Sequence, residues 1–139
     1  MTIDEFYKIH GQTIMCFQII ENDLKWIYSL MKAGDVNVTY ASISKCTLGE
    51  VVSMLKELDK SSGEQFISDN DYNFLRQMKE KRNYWCHRAY IDFMYEPNWD
   101  VSTEYENVCQ RLLRDNKRIM IVYKNVEQAK IEANKVFAR

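Results

Sequence analysis

Ile3–Met31 reads IDEFYKIHGQTIMCFQIIENDLKWIYSLM, and the architecture is read outward from it. Ile3, Phe6, His10, Thr13, Phe17, Ile20, Leu24, Ile27 and Met31 recur at alternating spacings of three and four, the signature of one helical face. A helix of that extent is about 44 Å long at 1.5 Å per residue. Gly34 stands where a C-cap glycine stops such a helix. The 139 residues hold only four Gly and one Pro, too few turn formers for a β-sandwich.

Beyond Gly34, residues 34–46 alternate Val36, Val38 and Tyr40 with polar neighbours, which predicts an extended loop or a short strand. Thr47-Leu48-Gly49-Glu50 reads as a capping box opening a short helix through Val51, Val52, Leu55 and Leu58. Ser61-Ser62-Gly63 breaks it, and Ser68-Asp69-Asn70-Asp71 offers caps for a third helix running to about Tyr95. Its stripe is Tyr72, Leu75, Lys79, Arg82, Cys86, Ala89 and Phe93, and Pro97 ends it. From Val101 a final stripe runs through Tyr105, Val108, Leu112, Asp115, Ile119, Val122, Val126, Ala129, Ala133 and Val136, with Asp115-Asn116 as a point where the helix kinks or splits in two. The expected fold is one all-α domain over residues 1–139, a four- or five-helix up-and-down bundle.

Hydrophobic residues make up 46% and charged residues 28%, so a chain this long buries roughly 68% of its unfolded surface without disulfide or metal staples. Net charge is −1, so any affinity for nucleic acid has to come from a local patch. There is no apolar run of membrane-spanning length and no signal-peptide pattern. Cys16, Cys46, Cys86 and Cys109 are dispersed without a CxxC, which argues against zinc and for the reducing cytoplasm. No phosphate-binding glycine loop, nucleophile elbow or HExxH occurs, so neither a metal nor a cofactor is expected.

Chemistry concentrates in Lys79-Glu80-Lys81-Arg82-Asn83-Tyr84-Trp85-Cys86-His87-Arg88. From Arg76 to Arg88 there are five cations (Arg76, Lys79, Lys81, Arg82, Arg88) against Glu80. Asn83 and His87, four apart, share a helical face. Arg82 and His87 are about 140° apart around the axis; a long arginine stem would let them converge on one small ligand. Tyr84, Trp85 and Tyr90 either stack on bases or pack internally, and His10 reads as a core histidine or a second group at the same cleft. Arg111, Arg114, Lys117 and Arg118 form a second cationic run, either a solvated face or a track for RNA backbone.

Arg82-Asn83-(Tyr-Trp-Cys)-His87 resembles the Arg-(four to six residues)-His motif of the HEPN superfamily, helical-bundle ribonucleases common in prokaryotic toxin–antitoxin and defence systems. Asn83 stands where that family usually has Asn, Asp or His. The resemblance implies a metal-independent endoribonuclease. His87 would activate the 2′-hydroxyl, Arg82 would hold the phosphate, and Asn83 would orient either. Arg76, Lys79, Arg88 and Tyr90 would contact RNA; DNA, lacking the 2′-hydroxyl, is not expected as substrate. It also implies a homodimer whose two motifs line one cleft, formed along the third helix, and an antitoxin protein as partner. A Tyr commonly stands two residues after the His in the branch paired with nucleotidyltransferase antitoxins; here Ala89 occupies that place and Tyr90 follows. The alternative is a non-catalytic HEPN-like binding or scaffold module.

Overall fold

In a computed structural model, which describes residues 1–137, Thr2 opens α1 (Ile3–Met31) with a reciprocal capping box. Its hydroxyl accepts from the Glu5 amide at 3.2 Å, and Glu5 Oε2 accepts from the Thr2 amide at 3.1 Å. Gly34, at φ 112°, makes the turn that follows, a conformation costly for any residue with a Cβ. Then come α2 (Val36–Ile43), α3 (Leu48–Ser61), α4 (Asp69–His87), the short α5 (Ile91–Met94), one 3₁₀ turn (Trp99–Val101) and α6 (Thr103–Val136). Asp35, Thr47, Ser68 and Ser102 each cap the helix that follows through a side-chain oxygen. The architecture is all-α, six helices on one shared core, with no strand among the described residues. Residues 138 and 139 of the expected domain lie outside the described residues.

The five longer helices alternate in direction along the chain, an up-and-down order in which the first and the last run parallel. Along α1, Met1, Thr13, Cys16 and Asp23 meet Tyr105, Asn116, Met120 and Lys130 in the same sequence, so α1 and α6 run parallel. Along α4 the order reverses: Trp85 meets Asp115, and Asp71 meets Asn125. The extra reversal is made by α2. Tyr40 stacks on Trp26 at 4.3 Å, its hydroxyl donates to Asn22, and Lys25 Nζ donates to the Ser44 carbonyl at 3.1 Å. The chain has thus doubled back along α1 before α3 begins.

Residues 34–46 are therefore a helical return, not a loop or strand. Asp35 caps it by accepting from the Val38 amide at 3.0 Å, and Ile43, one turn past Tyr40, is buried. The third helix stops at His87 rather than near Tyr95. The Ala89 amide bonds back to the Tyr84 carbonyl at 3.0 Å, which leaves the Trp85 carbonyl to an outside donor, His10 Nε2 at 2.8 Å. The last segment is one helix from Thr103, preceded by the 3₁₀ turn. Asp115 neither kinks nor splits it, because its carboxylate is buried and accepts from Trp85 Nε1 at 2.9 Å and Lys81 Nζ at 3.1 Å. Trp99 packs half-buried against Phe93 and Tyr105 and covers that end of the core.

The α3–α4 connection hangs on Asp59, buried at the end of α3. It accepts from the Phe66 amide at 2.8 Å, the Ile67 amide at 3.1 Å and the Tyr72 hydroxyl at 2.7 Å. Removing one buried acceptor strands three donors. Asp59→Ala is expected to destabilise the chain by roughly 3 kcal/mol and Tyr72→Phe by about 1 kcal/mol, read as urea midpoints at constant slope. Equal losses in the two variants would refute this assignment.

Candidate functional site

The face of α4 that packs inward carries Tyr72, Leu75, Met78, Trp85 and, just beyond the helix, Ala89. Two members of the expected stripe, Lys79 and Cys86, are instead exposed; the buried line is rotated toward Met78 and Trp85. Asn73, Arg76, Glu80, Asn83 and His87, at spacings of three and four, form an exposed outer seam. Asn83, Arg76 and His87 are thus brought onto one surface, with Arg76 Nη2 donating to Asn73 at 2.7 Å.

Arg82 is not on that seam. It projects toward α1, where Nη1 lies 2.7 Å from both carboxylate oxygens of Glu21. Both side chains are about one quarter exposed. Within one protomer, Arg82 and His87 therefore do not converge: α4 is regular from Asp69 to His87, which keeps them about 140° apart. The arginine stem is spent on reaching Glu21.

The two histidines differ in kind. His10 is half-buried and has both ring nitrogens engaged, Nε2 with the Trp85 carbonyl and Nδ1 with the Tyr90 hydroxyl at 3.1 Å. The tautomer that serves both carries its proton on Nε2, and the ring is a structural member between α1 and α4. His87 is exposed at the last position of α4, and no hydrogen bond or ion pair engages it among the described residues. Tyr90, expected at the RNA surface, is half-buried against Phe6, Tyr7 and His10, and burial raises its phenol above the ordinary tyrosine value. Trp85 is buried and packs rather than stacking on a ligand. Lys79 is exposed and unpaired among the described residues, and Arg88 Nε donates to Asp92 at 3.2 Å.

The pattern of single residues in α4 concealed a second set of groups. Tyr84 lies one turn before His87 on the flank that faces α6, where the Arg111 guanidinium sits 3.5 Å above the centre of its ring. The Tyr84 hydroxyl donates to Asp92 Oδ2 at 3.0 Å. Burial, then this bond, pushes the Tyr84 phenol up to about 12. Tyr84, Asp92, Glu104, Asn107, Val108 and Arg111 line an open pocket of about 260 Å³. The signal in sequence was only the cationic run from Arg111, because nothing in it shows that α6 lies beside α4. Arg118 is likewise drawn to the buried Asp71, at 3.8 Å. No group of three or more metal-ligating side chains occurs among the described residues, and no helix there is long and apolar enough to cross a membrane. Comparison of the chain with protein-family models, with curated proteins and with solved structures gave no match.

The raised phenols give a signed pH dependence. Tyr84 holds its proton to about pH 12, whereas an unfolded tyrosine releases it near 10. The unfolded state thus binds fewer protons between those values, and stability is retained below pH 10 and falls as pH rises toward 12. Tyr72 and Tyr105, both raised chiefly by burial, add to the same slope. Urea unfolding at stepped pH is expected to show this fall, with a shallower slope in Tyr84→Phe; a flat profile from pH 9 to 11.5 would contradict it.

Proposed function

We propose that the chain is a metal-independent endoribonuclease of the HEPN type, acting as a homodimer in a toxin–antitoxin or defence setting. The observation that carries the reading is the state of the two imidazoles. The histidine inside the Arg-x₄-His pattern is exposed with no hydrogen bond among the described residues, while the histidine outside it is bonded on both nitrogens. A general base needs a nitrogen free to receive the proton. His87 takes the proton of a ribose 2′-hydroxyl, the 2′-oxygen bonds to phosphorus, and the bond to the 5′-oxygen breaks. That oxygen leaves with a proton from solvent or a second imidazole, and a 2′,3′-cyclic phosphate remains.

Asn83, on the same seam as His87, orients the ring or a phosphate oxygen. Arg82 neutralises the charge gathered on phosphorus once a phosphate displaces Glu21. Pairing of two α4 outer seams across a two-fold axis supplies a second copy of Arg76, Asn83 and His87 to a site that is sparse in one protomer.

A second reading has a specific observation in its favour. Arg82 is already neutralised by Glu21, which suits a helical module that binds a protein partner without cleaving RNA. Incubation with structured RNA in EDTA separates the two. The ribonuclease reading expects chelator-resistant cleavage ending in cyclic phosphate, lost by at least 100-fold in His87→Ala, with a dimer of twice 16.6 kDa by light scattering. Identical activity in wild type and variant, or none in either, refutes it.

A further inference from the structure

We propose that the pocket between α4, α5 and α6 is a seat for a guanine base, so that the chain prefers RNA at unpaired guanosines. The inference rests on the ribonuclease reading only for its link to cleavage; the seat itself is defined by side chains that reading does not use.

At about 260 Å³ the pocket is just below the range of small-molecule sites, which suits one heteroaromatic base rather than a whole cofactor. One wall is a flat cation: the Arg111 guanidinium plate lies over the Tyr84 ring and is backed by the buried Asp115, 4.0 Å from Nε. Unpaired bases in RNA stack on such arginine planes and present their Watson–Crick edges for reading. Asp92 is spent structurally, with Oδ2 accepting from Tyr84 and Oδ1 from Arg88. Glu104 and Asn107 are exposed, and no hydrogen bond or ion pair engages them among the described residues. They stand one turn apart on α6, so a carboxylate, an amide and then Arg111 line up at spacings of three and four.

That set selects among the bases. Guanine alone offers two adjacent donors, N1–H and the 2-amino group, which match the two oxygens of Glu104. Its O6 acceptor suits the Asn107 amide. Adenine, cytosine and uracil each place an acceptor against the carboxylate beside their single donor position. Tyr84 precedes His87 by one turn, so the pocket adjoins the α4 terminus, where His87 and Arg88 stand exposed.

The test uses fluorescence anisotropy with 2′-O-methyl oligonucleotides of one length carrying a single G, A, C or U in an otherwise fixed sequence. They cannot be cleaved by 2′-hydroxyl attack, so binding is read apart from catalysis. The wild-type chain is expected to bind the G probe at least tenfold more tightly than the others. Glu104→Gln, a change at an exposed position, should bring the four probes within twofold. Equal affinities in the wild type, no binding of any probe, or a preference that survives Glu104→Gln would overturn the proposal. A preference for G without chelator-resistant cleavage of natural RNA would sink the ribonuclease reading and leave the seat standing. Cleavage without the preference would do the reverse.

Discussion

Trp85 is bonded at both ends, and the three long helices meet through it. Its indole N–H donates to Asp115 on α6, and its carbonyl accepts from His10 on α1. An indole sealed in a core needs an acceptor, and a freed helix carbonyl needs a donor, so both bonds are obligations of burial rather than ornaments. With the Ala89 amide turned back to Tyr84, the Trp85 carbonyl is left to His10 and α4 ends at His87. That last residue is thereby delivered to the surface. The candidate site is a by-product of how the core is tied.

Four aspartates are buried with identifiable partners: Asp23 with Lys130, Asp59 with the α3–α4 connection, Asp71 with Asn125 and Arg118, and Asp115 with Trp85 and Lys81. Among the described residues no buried side-chain nitrogen or oxygen lacks a partner. Parallel packing of α1 on α6 offers many near-equivalent apolar registers, since an apolar stripe repeats every turn. Polar pairs such as Thr13 with Asn116 and Asp23 with Lys130 distinguish the native one, because a slip of a turn would strand a buried polar group.

Periodicity alone revealed α1, from Ile3 to Met31, and the run of α6, because each buries one continuous stripe. Thr47 and Ser68 announced their helices by capping chemistry. The return of α2 was hidden, because Val36, Val38 and Tyr40 satisfy a strand pattern as well as a helical one over so short a span. The end of α4 was hidden because no proline or glycine marks it, and the carbonyl freed there is met by a histidine 75 residues away. For the same reason the candidate site was legible only in part. Asn83, His87 and Arg76 share a face that helical spacing predicts. The partnership of Arg82 with Glu21, and of Arg111 with Tyr84, depends on which helix lies on which flank of α4, and no spacing encodes that.

The carboxylate facing Arg82 also bears on how binding responds to ionic strength. A lysine bathed in solvent trades a cloud of mobile anions for a phosphate, and that release makes polyanion affinity fall steeply as salt is added. Arg82 carries a tethered anion instead, so exchange at this guanidinium sets no solution ion free. A nucleic acid held there would show a flatter logarithmic salt slope than a tally of its basic contacts suggests.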